Sequence, residues 1–467
     1  MGIVASQLPP APSGYPVFKH AVDFARDPFE FVDRATSECG DIYRMDLPAV
    51  DDVFVLAHPD YFNRVLVADV DAFGKTEDYR RAFGNGLLSV EDQQWRRQRE
   101  MMQPLFYREQ IKGYTEQMVA CTERRLEQWE TGDTRDMETE MRDLTLEILF
   151  ATLFGRELVP GEDQELRDAA DGLNEWFTPS SWILPHWLPT PARRRFDHSK
   201  ERLRQEVRSL LAEEGSQSVS PSVVDDGVAG GGQQRPEESS SNMDPSDLLT
   251  QLQRIRNSDD GEQLTTDEIE DQLITMVFAG HETTATALAF TWYVLATHPD
   301  IRERFDAELE TVLGDHPPTY DDLQDLEFTE NIITEALRLY PPIHTIPRRT
   351  KSDVEVNGFR IPEDHEIHLS VIHVHRDGQF YDDPLSFRPD RWTDEFEEEL
   401  HDFAYVPFGG GRRTCIGREF ALLEAKVVLA TIGQQFEFEW EKNRDIELEP
   451  RVTTQSKEGI PLKLSPR

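Results

Sequence analysis

The chain has 467 residues, of which 38% are hydrophobic, so it is long enough to bury a large core. Its 90 acidic and 49 basic residues give a net charge of −41, which disfavours nucleic acid and anionic membranes as partners. The acidic excess is spread along the whole chain, and we interpret it as adaptation to high salt, as in a halophile. One cationic partner is the alternative.

The three cysteines, Cys39, Cys121 and Cys415, are widely spaced and form no CxxC pair. This pattern predicts neither a disulfide framework nor a structural zinc site, and it fits a reducing compartment. The N-terminal segment contains no long apolar run. We therefore expect a soluble, cytoplasmic protein without a signal peptide or a stable membrane anchor.

The first half of the chain is predicted to be mainly helical. An amphipathic helix is expected at Pro28–Ser37, and the apolar runs at 43–47 and 53–57 indicate a small β-sheet. Helical periodicity then extends from about 89 to 213. Residues 215–245 are rich in Ser, Gly, Pro and acidic residues, and are predicted to form a mobile loop inserted between helices.

Beyond this loop, helical periodicity returns in four segments, at 246–257, 266–298, 300–313 and 322–340. Short β segments are expected at 353–361 and 365–372, a last long helix at Glu419–Gln435, and a hairpin in the terminal VTTQSKEGIPLKL. The predicted fold class is mainly α with a small β-sheet. We expect a single domain over 1–467 that carries the inserted loop.

The stretch PFGGGRRTCIG, residues 407–417, places a cysteine among glycines and arginines. Positive charge favours a thiolate, and glycine permits a close backbone approach to a flat ligand. For an isolated cysteine, a buried structural role is the alternative. The spacing F-x-x-G-x-R-x-C-x-G, from Phe408 to Gly417, resembles the haem-ligand loop of the cytochrome P-450 superfamily. This resemblance implies that Cys415 ligates the haem iron and that Phe408 shields the sulfur.

The segment AGHETT, residues 279–284, lies within the long predicted helix. Its carboxylate and hydroxyl are costly if buried without partners, although a threonine can bond back to the carbonyl one turn earlier. A solvent-facing polar patch is the alternative. The segment resembles the family motif A-G-x-[DE]-T. By that resemblance Gly280 lets the haem lie close, Thr283 hydrogen-bonds iron-bound oxygen, and Glu282 helps to relay protons. His281 fills the variable position and is interpreted as structural.

Glu335 and Arg338 stand at i and i+3 and share one helix face, and Arg391 follows in FRPDRW. Most pairs with this spacing are surface salt bridges worth little. Together the three resemble the Glu-Arg-Arg triad of the same family. That resemblance implies a structural role, in which the triad anchors the segment that carries the cysteine.

A haem carries two carboxylates that require cationic partners. Trp95 and Arg99 stand at i and i+4 and resemble the family's W-x-x-x-R, and Arg348 and Arg413 resemble its further propionate partners. His375, in HVHRD, lies in a recurrent segment of the family and is also assigned to the cofactor. Each arginine alone is more often a surface residue. The order of Trp95, Arg99, Arg348 and Arg413 along the chain is the one the family shows, and it favours their convergence on haem b, iron protoporphyrin IX.

The motifs occur in the family's order along essentially the full chain. The resemblance implies a soluble prokaryotic haem-thiolate monooxygenase, with haem between the long central helix and the helix after the cysteine loop. It would activate O2 and oxidise an apolar organic substrate. No flavin or ferredoxin domain is recognised, so a separate ferredoxin and its NAD(P)H reductase are expected to supply electrons. The alternatives are a peroxide-dependent peroxygenase or isomerase, and a non-catalytic haem-thiolate sensor or carrier.

Family position also indicates two surfaces. Cations near the cysteine side are candidates for docking an acidic ferredoxin: Arg96, Arg97, Arg412, Arg418 and Lys426. Substrate-facing candidates are mostly apolar: Leu87, Leu88, residues 176–188, Met276, Ala279, residues 343–346 and residues 453–455. This lining favours a lipid, terpenoid or carotenoid-like substrate.

Overall fold

The computed structural model describes residues 7–15, 18–47, 51–177, 189–217, 252, 264–442 and 444–467. The predicted loop at 215–245 lies outside these ranges, except for its first three residues, which continue a helix to Gln217. The predicted helix at 246–257 lies outside them except for residue 252. Of the predicted substrate-facing stretch 176–188, only its first two residues are described.

The described α-helices of the first half comprise ten segments. They are α1 Ala21–Arg26, α2 Pro28–Cys39, α3 Pro59–Asn63, α4 Glu77–Phe83, α5 Asp92–Met102, α6 Arg108–Lys112, α7 Thr115–Leu126, α8 Met137–Phe154, α9 Gln164–Gly172 and α10 Pro191–Gln217. The amphipathic α2 is confirmed. Asp27 caps its N-terminus by accepting hydrogen bonds from two backbone N–H groups, and Pro28 occupies the first turn.

Six further helices follow in the described second half: α11 Thr266–Thr297, α12 Pro299–Val312, α13 Glu327–Leu339, α14 Val371–His375, α15 Asp394–Glu399 and α16 Arg418–Gly433. The central helix α11 begins with a capping box, in which Thr265 and Glu268 satisfy each other's backbone N–H groups. It packs mainly against α8 and also contacts α13 and α16. Its buried length places the AGHETT turn in the middle of the molecule.

The strands are short: β1 Ile42–Met45, β2 Val53–Leu56, β3 Phe73–Gly74, β4 Thr134–Asp136, β5 Thr345–Thr350, β6 Val354–Val356, β7 Phe359–Ile361, β8 Glu366–Ser370, β9 Phe436–Trp440, β10 Leu448–Pro450, β11 Thr454–Ser456 and β12 Pro461–Pro466. The largest sheet has the order β1-β2-β8-β5-β3, in which only the β2–β8 pair is parallel. The predicted fold class, mainly α with minor β structure, is confirmed.

The predicted terminal hairpin is wrong. β11 pairs with β10, whereas β12 lies between β4 and β9 in a separate three-stranded sheet. Sequence alternation identifies strands but not their partners, because partner choice depends on the surrounding packing. No described helix combines the length and apolar character needed to span a membrane.

Candidate active site

The cysteine loop is held in shape by a backbone hydrogen bond and by glycine conformations. The Cys415 N–H donates to the Phe408 carbonyl at 2.9 Å. Gly411 has φ +65°, and a Cβ on it would lie 2.3 Å from the carbonyl oxygen of Leu66. Only glycine satisfies both conditions, so this residue fixes the close approach of the loop to the segment after α3.

Cys415 is exposed, whereas Cys121 is buried in the core. This difference separates Cys415 from the structural Cys121. Desolvation raises the pKa of the Cys415 thiol, while the Gly417 N–H and the charges of Arg99 and Arg418 act in the opposite direction. The positive charge and backbone N–H of the loop therefore favour a thiolate, as predicted, although burial outweighs them in the absence of a metal ion. A coordinated metal ion would deprotonate the thiol outright.

The acid and the threonine of AGHETT have different partners. The Thr283 hydroxyl donates to the Ala279 carbonyl at 2.6 Å, as predicted from the sequence. Glu282 is 2% exposed, and its Oε1 accepts hydrogen bonds from Thr453 Oγ1 at 3.1 Å and Gln455 Nε2 at 2.7 Å. Because the Thr283 proton is engaged within the helix, its oxygen lone pairs remain to accept a hydrogen bond from a ligand.

Gly280 packs against α8. A Cβ on it would lie 2.7 Å from Leu149 Cδ1, so the missing side chain lets the two helices approach closely. This contact gives Gly280 a role in helix packing. The predicted contact with a planar cofactor stays a prediction.

Three cations and an aromatic ring gather from distant parts of the chain. The Arg413 guanidinium lies over the Trp95 ring, 4.9 Å from its centroid, and its Nη1 donates to the Val90 carbonyl at 3.1 Å. Desolvation, together with the charge of Arg413, lowers the pKa of Arg348 to about 10. Lys75 was not identified from the sequence. Desolvation and the charges of Arg348 and Arg413 lower the pKa of Lys75 well below its usual range.

These lowered pKa values show that Lys75, Arg348 and Arg413 lie in one positive region. Among the charges that act on Lys75, only Glu91 is acidic, and its carboxylate already binds the Lys351 ammonium at 2.8 Å. An anion bound in such a region would be stabilised by these cations. The two carboxylates of a haem would supply such anions, so the side chains present fit that cofactor.

Arg99 and His375, which are also predicted to contact the cofactor, form bonds to backbone groups outside the group of three cations. Arg99 donates from Nη1 to the Thr414 carbonyl at 2.8 Å, next to Cys415 rather than among the three cations. His375 is 0% exposed, and its Nε2 accepts the Val406 N–H at 2.8 Å. His375 therefore positions the segment that leads to the cysteine loop, and its assignment to the cofactor stays a prediction.

The predicted ion-pair triad is confirmed. Arg338 donates from Nε and Nη2 to Glu335 at 2.9 and 2.8 Å, and Arg391 Nε donates to the same carboxylate at 2.9 Å. Trp392 Nε1 adds a bond at 3.0 Å. Arg338 also donates to the carbonyl of His375 at 2.8 Å, which ties α13 to α14. The triad therefore fixes the backbone around the cysteine loop without contributing chemistry.

One predicted substrate-facing segment, residues 453–455, lies beside Glu282. Thr454 donates from N to the Pro342 carbonyl at 2.9 Å and from Oγ1 to the Pro341 carbonyl at 2.6 Å, which joins residues 453–455 to the two prolines that precede residues 343–346. The Leu87 N–H donates to Gln272 Oε1 at 3.0 Å, about one helical turn before Met276. Leu87 and residues 453–455, which are distant in sequence, therefore both contact α11.

The sequence profile of the Cytochrome P450 family matches residues 9–462. The pentalenene oxygenase of Streptomyces avermitilis is 33% identical over 464 residues, covering 98% of this chain and 97% of the relative. The cyclooctat-9-en-7-ol 5-monooxygenase of Streptomyces melanosporofaciens is 31% identical, with 91% of this chain and 88% of the relative covered. The crystal structure of the cytochrome P450DA haem domain superposes with a TM-score of 0.83, at 25% identity over 99% of this chain and 98% of that one.

The match to the family profile covers nearly the whole chain, and it agrees with the cysteine loop, the acid–threonine helix and the cation cluster. The chain belongs to the cytochrome P450 family. The relatives described above are named as oxygenases or monooxygenases, and the enzyme class predicted from the sequence is confirmed.

Proposed function

We propose that this protein is a haem-thiolate monooxygenase that binds haem b through Cys415 and oxidises an apolar, terpenoid-like substrate with O2. The observation that carries the proposal is the joint placement of an exposed cysteine, an acid–threonine pair and a group of cations that would stabilise bound anions. Haem, when bound, supplies reductive activation of O2, and a thiolate ligand favours cleavage of the O–O bond.

The chain's own residues would hold and shield this cofactor. Cys415 Sγ would ligate the iron, the Gly417 N–H would stabilise the sulfur's negative charge, and the Phe408 ring would limit its contact with water once the haem is bound. Lys75, Arg348 and Arg413 would bind the propionates. Charge-assisted hydrogen bonds of this kind are about twice as strong as neutral ones.

The central helix α11 would supply the two residues for the oxygen chemistry, Thr283 and Glu282. Thr283 Oγ1 keeps its own proton on the Ala279 carbonyl and therefore acts as an acceptor towards a ligand. Glu282 is held by Thr453 and Gln455 through one oxygen only, so its other oxygen remains able to take up and release a proton. This arrangement supports oxygen activation with external protons and electrons over a peroxide-dependent reaction.

The substrate class rests on the lining and on the relatives. Met276 and Ile346 are buried and apolar, and the half-buried Leu87 packs against the core cluster that contains Met276. Two relatives are named for pentalenene and cyclooctat-9-en-7-ol, which are cyclic terpenoids. A rigid polycyclic hydrocarbon or alcohol is the chemistry that this lining would accept.

A separate ferredoxin with its NAD(P)H reductase is the proposed electron source. Three of the predicted docking cations are paired with carboxylates: Arg412 with Asp71 at 2.6 Å, Lys426 with Glu330 at 2.6 Å, and Arg97 with Glu268. These partners reduce the positive charge of the predicted docking surface. Arg96 has no carboxylate within 4.0 Å among the described residues, and Arg418 Nε lies 4.0 Å from Glu419 Oε1. These two cations are the ones we assign to docking, because their positive charge is the least offset.

A cytoplasmic location and adaptation to high salt complete the proposal. Both rest on the cysteine pattern and on the net charge of −41. The same charge weakens electrostatic steering of an acidic ferredoxin, and salt weakens it further.

A binding screen followed by turnover tests the proposed function. Cyclic sesquiterpenes and diterpenes are added to the haem-loaded protein in high salt, with fatty acids as the comparison, and haem spectral shifts are recorded. The best terpenoid is then incubated with NAD(P)H, ferredoxin and reductase under ¹⁸O2. One ¹⁸O atom in the product supports a monooxygenase. Oxygen incorporated only from added peroxide would contradict it.

A further inference from the structure

A largely buried polar cluster surrounds Glu282 where α8, α9 and α11 meet. Its members are Glu138, Arg142, Asp171, His281 and Glu282. The family motif accounts for only one of them, and the sequence indicated a structural role for His281. The contacts of the cluster point to a different use.

His281 has one committed nitrogen and one free nitrogen. Nδ1 bonds to the Val277 carbonyl at 2.8 Å, which assigns its proton to that nitrogen. Nε2 lies 3.8 Å from Asp171 Oδ1 and 4.0 Å from Glu282 Oε2. His281 and Glu282 are 1% and 2% exposed, and within the described residues neither Nε2 nor Oε2 has a hydrogen-bond partner. One water, or a small rotation of the ring, spans either distance.

The outer end of the cluster reaches solvent. The Asp171 side chain is 49% exposed, in contrast to the buried His281 and Glu282. Arg142 Nη1 lies 3.9 Å from the same carboxylate oxygen and stabilises its charge. Burial opposes protonation of His281, but Asp171 and Glu282 outweigh it and raise the pKa of the imidazole above its usual value. A proton taken up from solvent at Asp171 is therefore stabilised on Nε2.

The inner end contains a second titratable group. Burial raises the pKa of Glu138 to about 7, against the hydrogen bond that its Oε1 accepts from the Ser456 N–H at 2.7 Å. A cavity of about 10 Å³ separates it from Glu282, close to the smallest volume that accommodates one water. The lining residues are Glu138, Arg142, Glu282, Ala285, Thr286 and Gln455. Glu282 thus faces exchangeable protons on both sides.

A metal site is the other interpretation, since donor atoms of Asp171, His281 and Glu282 lie within 4.8 Å of one another. The charge balance argues against it. When His281 is protonated, it and Arg142 offset the carboxylates of Asp171 and Glu282, and Arg142 Nη1 already lies 3.9 Å from Asp171 Oδ1. Ligation also requires a neutral imidazole, whereas these neighbours favour the charged form.

We propose that Asp171 and His281 form a proton uptake route that carries protons from solvent to Glu282. The inference rests on the proposed monooxygenase function, in which RH + O2 + 2e⁻ + 2H⁺ gives ROH + H2O. In each transfer a proton passes from solvent through the Asp171 carboxylate to His281 Nε2. The imidazolium then releases it to Glu282 Oε2 and returns to the neutral form.

The variants Asp171→Asn and His281→Gln test the route, each with a matched control. Asp168→Asn removes an exposed carboxylate from the same helix, where it accepts a bond from Gln164 at 2.8 Å. His298→Gln removes a histidine whose Nδ1 lies 2.9 Å from the carbonyl four residues earlier, at the end of α11. All four proteins are first checked for a thiolate-ligated haem by the reduced carbon monoxide spectrum.

Two oxidants separate proton delivery from structure. The terpenoid with the largest spectral shift is oxidised either with O2, ferredoxin and reductase, or with iodosylbenzene, which donates an oxygen atom without protons or electrons. Asp171→Asn and His281→Gln should lower the O2-driven rate about tenfold or more and leave the iodosylbenzene rate within about twofold, since general acid catalysis contributes about 10²- to 10⁴-fold. Both controls should behave as wild type with both oxidants.

A second readout does not depend on turnover. ¹⁵N NMR of histidine-labelled protein, with His281 assigned through His281→Gln, should show a lower imidazole pKa in Asp171→Asn than in wild type. Variants that match their controls with O2, or that lose both rates equally, would overturn the proton route. A wild-type protein that oxidises no substrate with either oxidant would instead overturn the proposed function.

Discussion

Replacing Glu335 by alanine perturbs the most densely bonded carboxylate of the site. Five donors converge on it: Arg338 Nε and Nη2, Arg391 Nε, the Arg388 N–H and Trp392 Nε1, all at 2.8–3.0 Å. Glu335 and Arg338 are both 0% exposed. The alanine variant therefore leaves two guanidinium groups without a counter-ion in a region that water does not reach.

Removal of one partner from a buried ion pair costs about 3–5 kcal/mol, because the remaining charge is left desolvated. A loss of this size is a large part of the 5–15 kcal/mol that typically stabilises a folded domain. Arg338 also holds the carbonyl of His375, and His375 holds the backbone N–H of Val406. We therefore expect the loss of stability to be accompanied by loss of haem.

Urea unfolding and haem content per chain are the measurements. Glu330→Ala is the matched control on the same helix, since the Glu330 side chain is 53% exposed and its pair with Lys426 should contribute about 0–1 kcal/mol. A Glu335→Ala protein with full haem occupancy, or with a free energy of unfolding as close to wild type as that of the control, would refute the reasoning.

Three further outcomes are expected. Lys75→Gln should speed haem loss to excess apomyoglobin about tenfold. It should not destabilise the haem-free protein, because Lys75 is repelled there by Arg348 and Arg413. Slower haem loss would contradict the assignment of Lys75 to the haem propionates. Burial lowers the pKa of His375 to about 3 in the folded protein, so the free energy of unfolding should fall as the pH drops from about 6.5 towards 3, by up to about 1.4 kcal/mol per pH unit. The variant His375→Gln can still accept the Val406 N–H but does not titrate, so its urea midpoint should depend less on pH over that range. Raising KCl from about 0.1 to 3 M should raise the thermal midpoint by screening repulsion among the 90 acidic residues; an unchanged midpoint would contradict adaptation to salt.

The parts of the site that depend on local spacing could be predicted from the sequence. Glu335 and Arg338 lie one helical turn apart, and the Thr283 hydroxyl bonds within its own helix, so neither contact requires knowledge of the fold. The cysteine loop is similarly local, because the bond from Cys415 to Phe408 closes within eight residues. Such motifs keep their geometry wherever the chain places them.

The remaining contacts join residues that are remote in sequence. Lys75 meets Arg348 and Arg413 only because β3 pairs with β5 and the cysteine loop packs beside the segment after α3. Its context, Phe73-Gly74-Lys75, contains no motif that distinguishes it from a surface lysine. His375 also depends on the fold. Its recurrent sequence context suggested a cofactor contact, but that context does not indicate that its buried Nε2 accepts the Val406 N–H.

The reduced carbon monoxide difference spectrum tests most directly the claim that Cys415 binds the haem iron as a thiolate. The wild-type protein should show the red-shifted Soret band of a thiolate-ligated haem, and Cys415→Ser should lose it. The buried Cys121 provides the comparison, and Cys121→Ser should retain the band. A Cys415→Ser protein that keeps the thiolate spectrum would contradict the account.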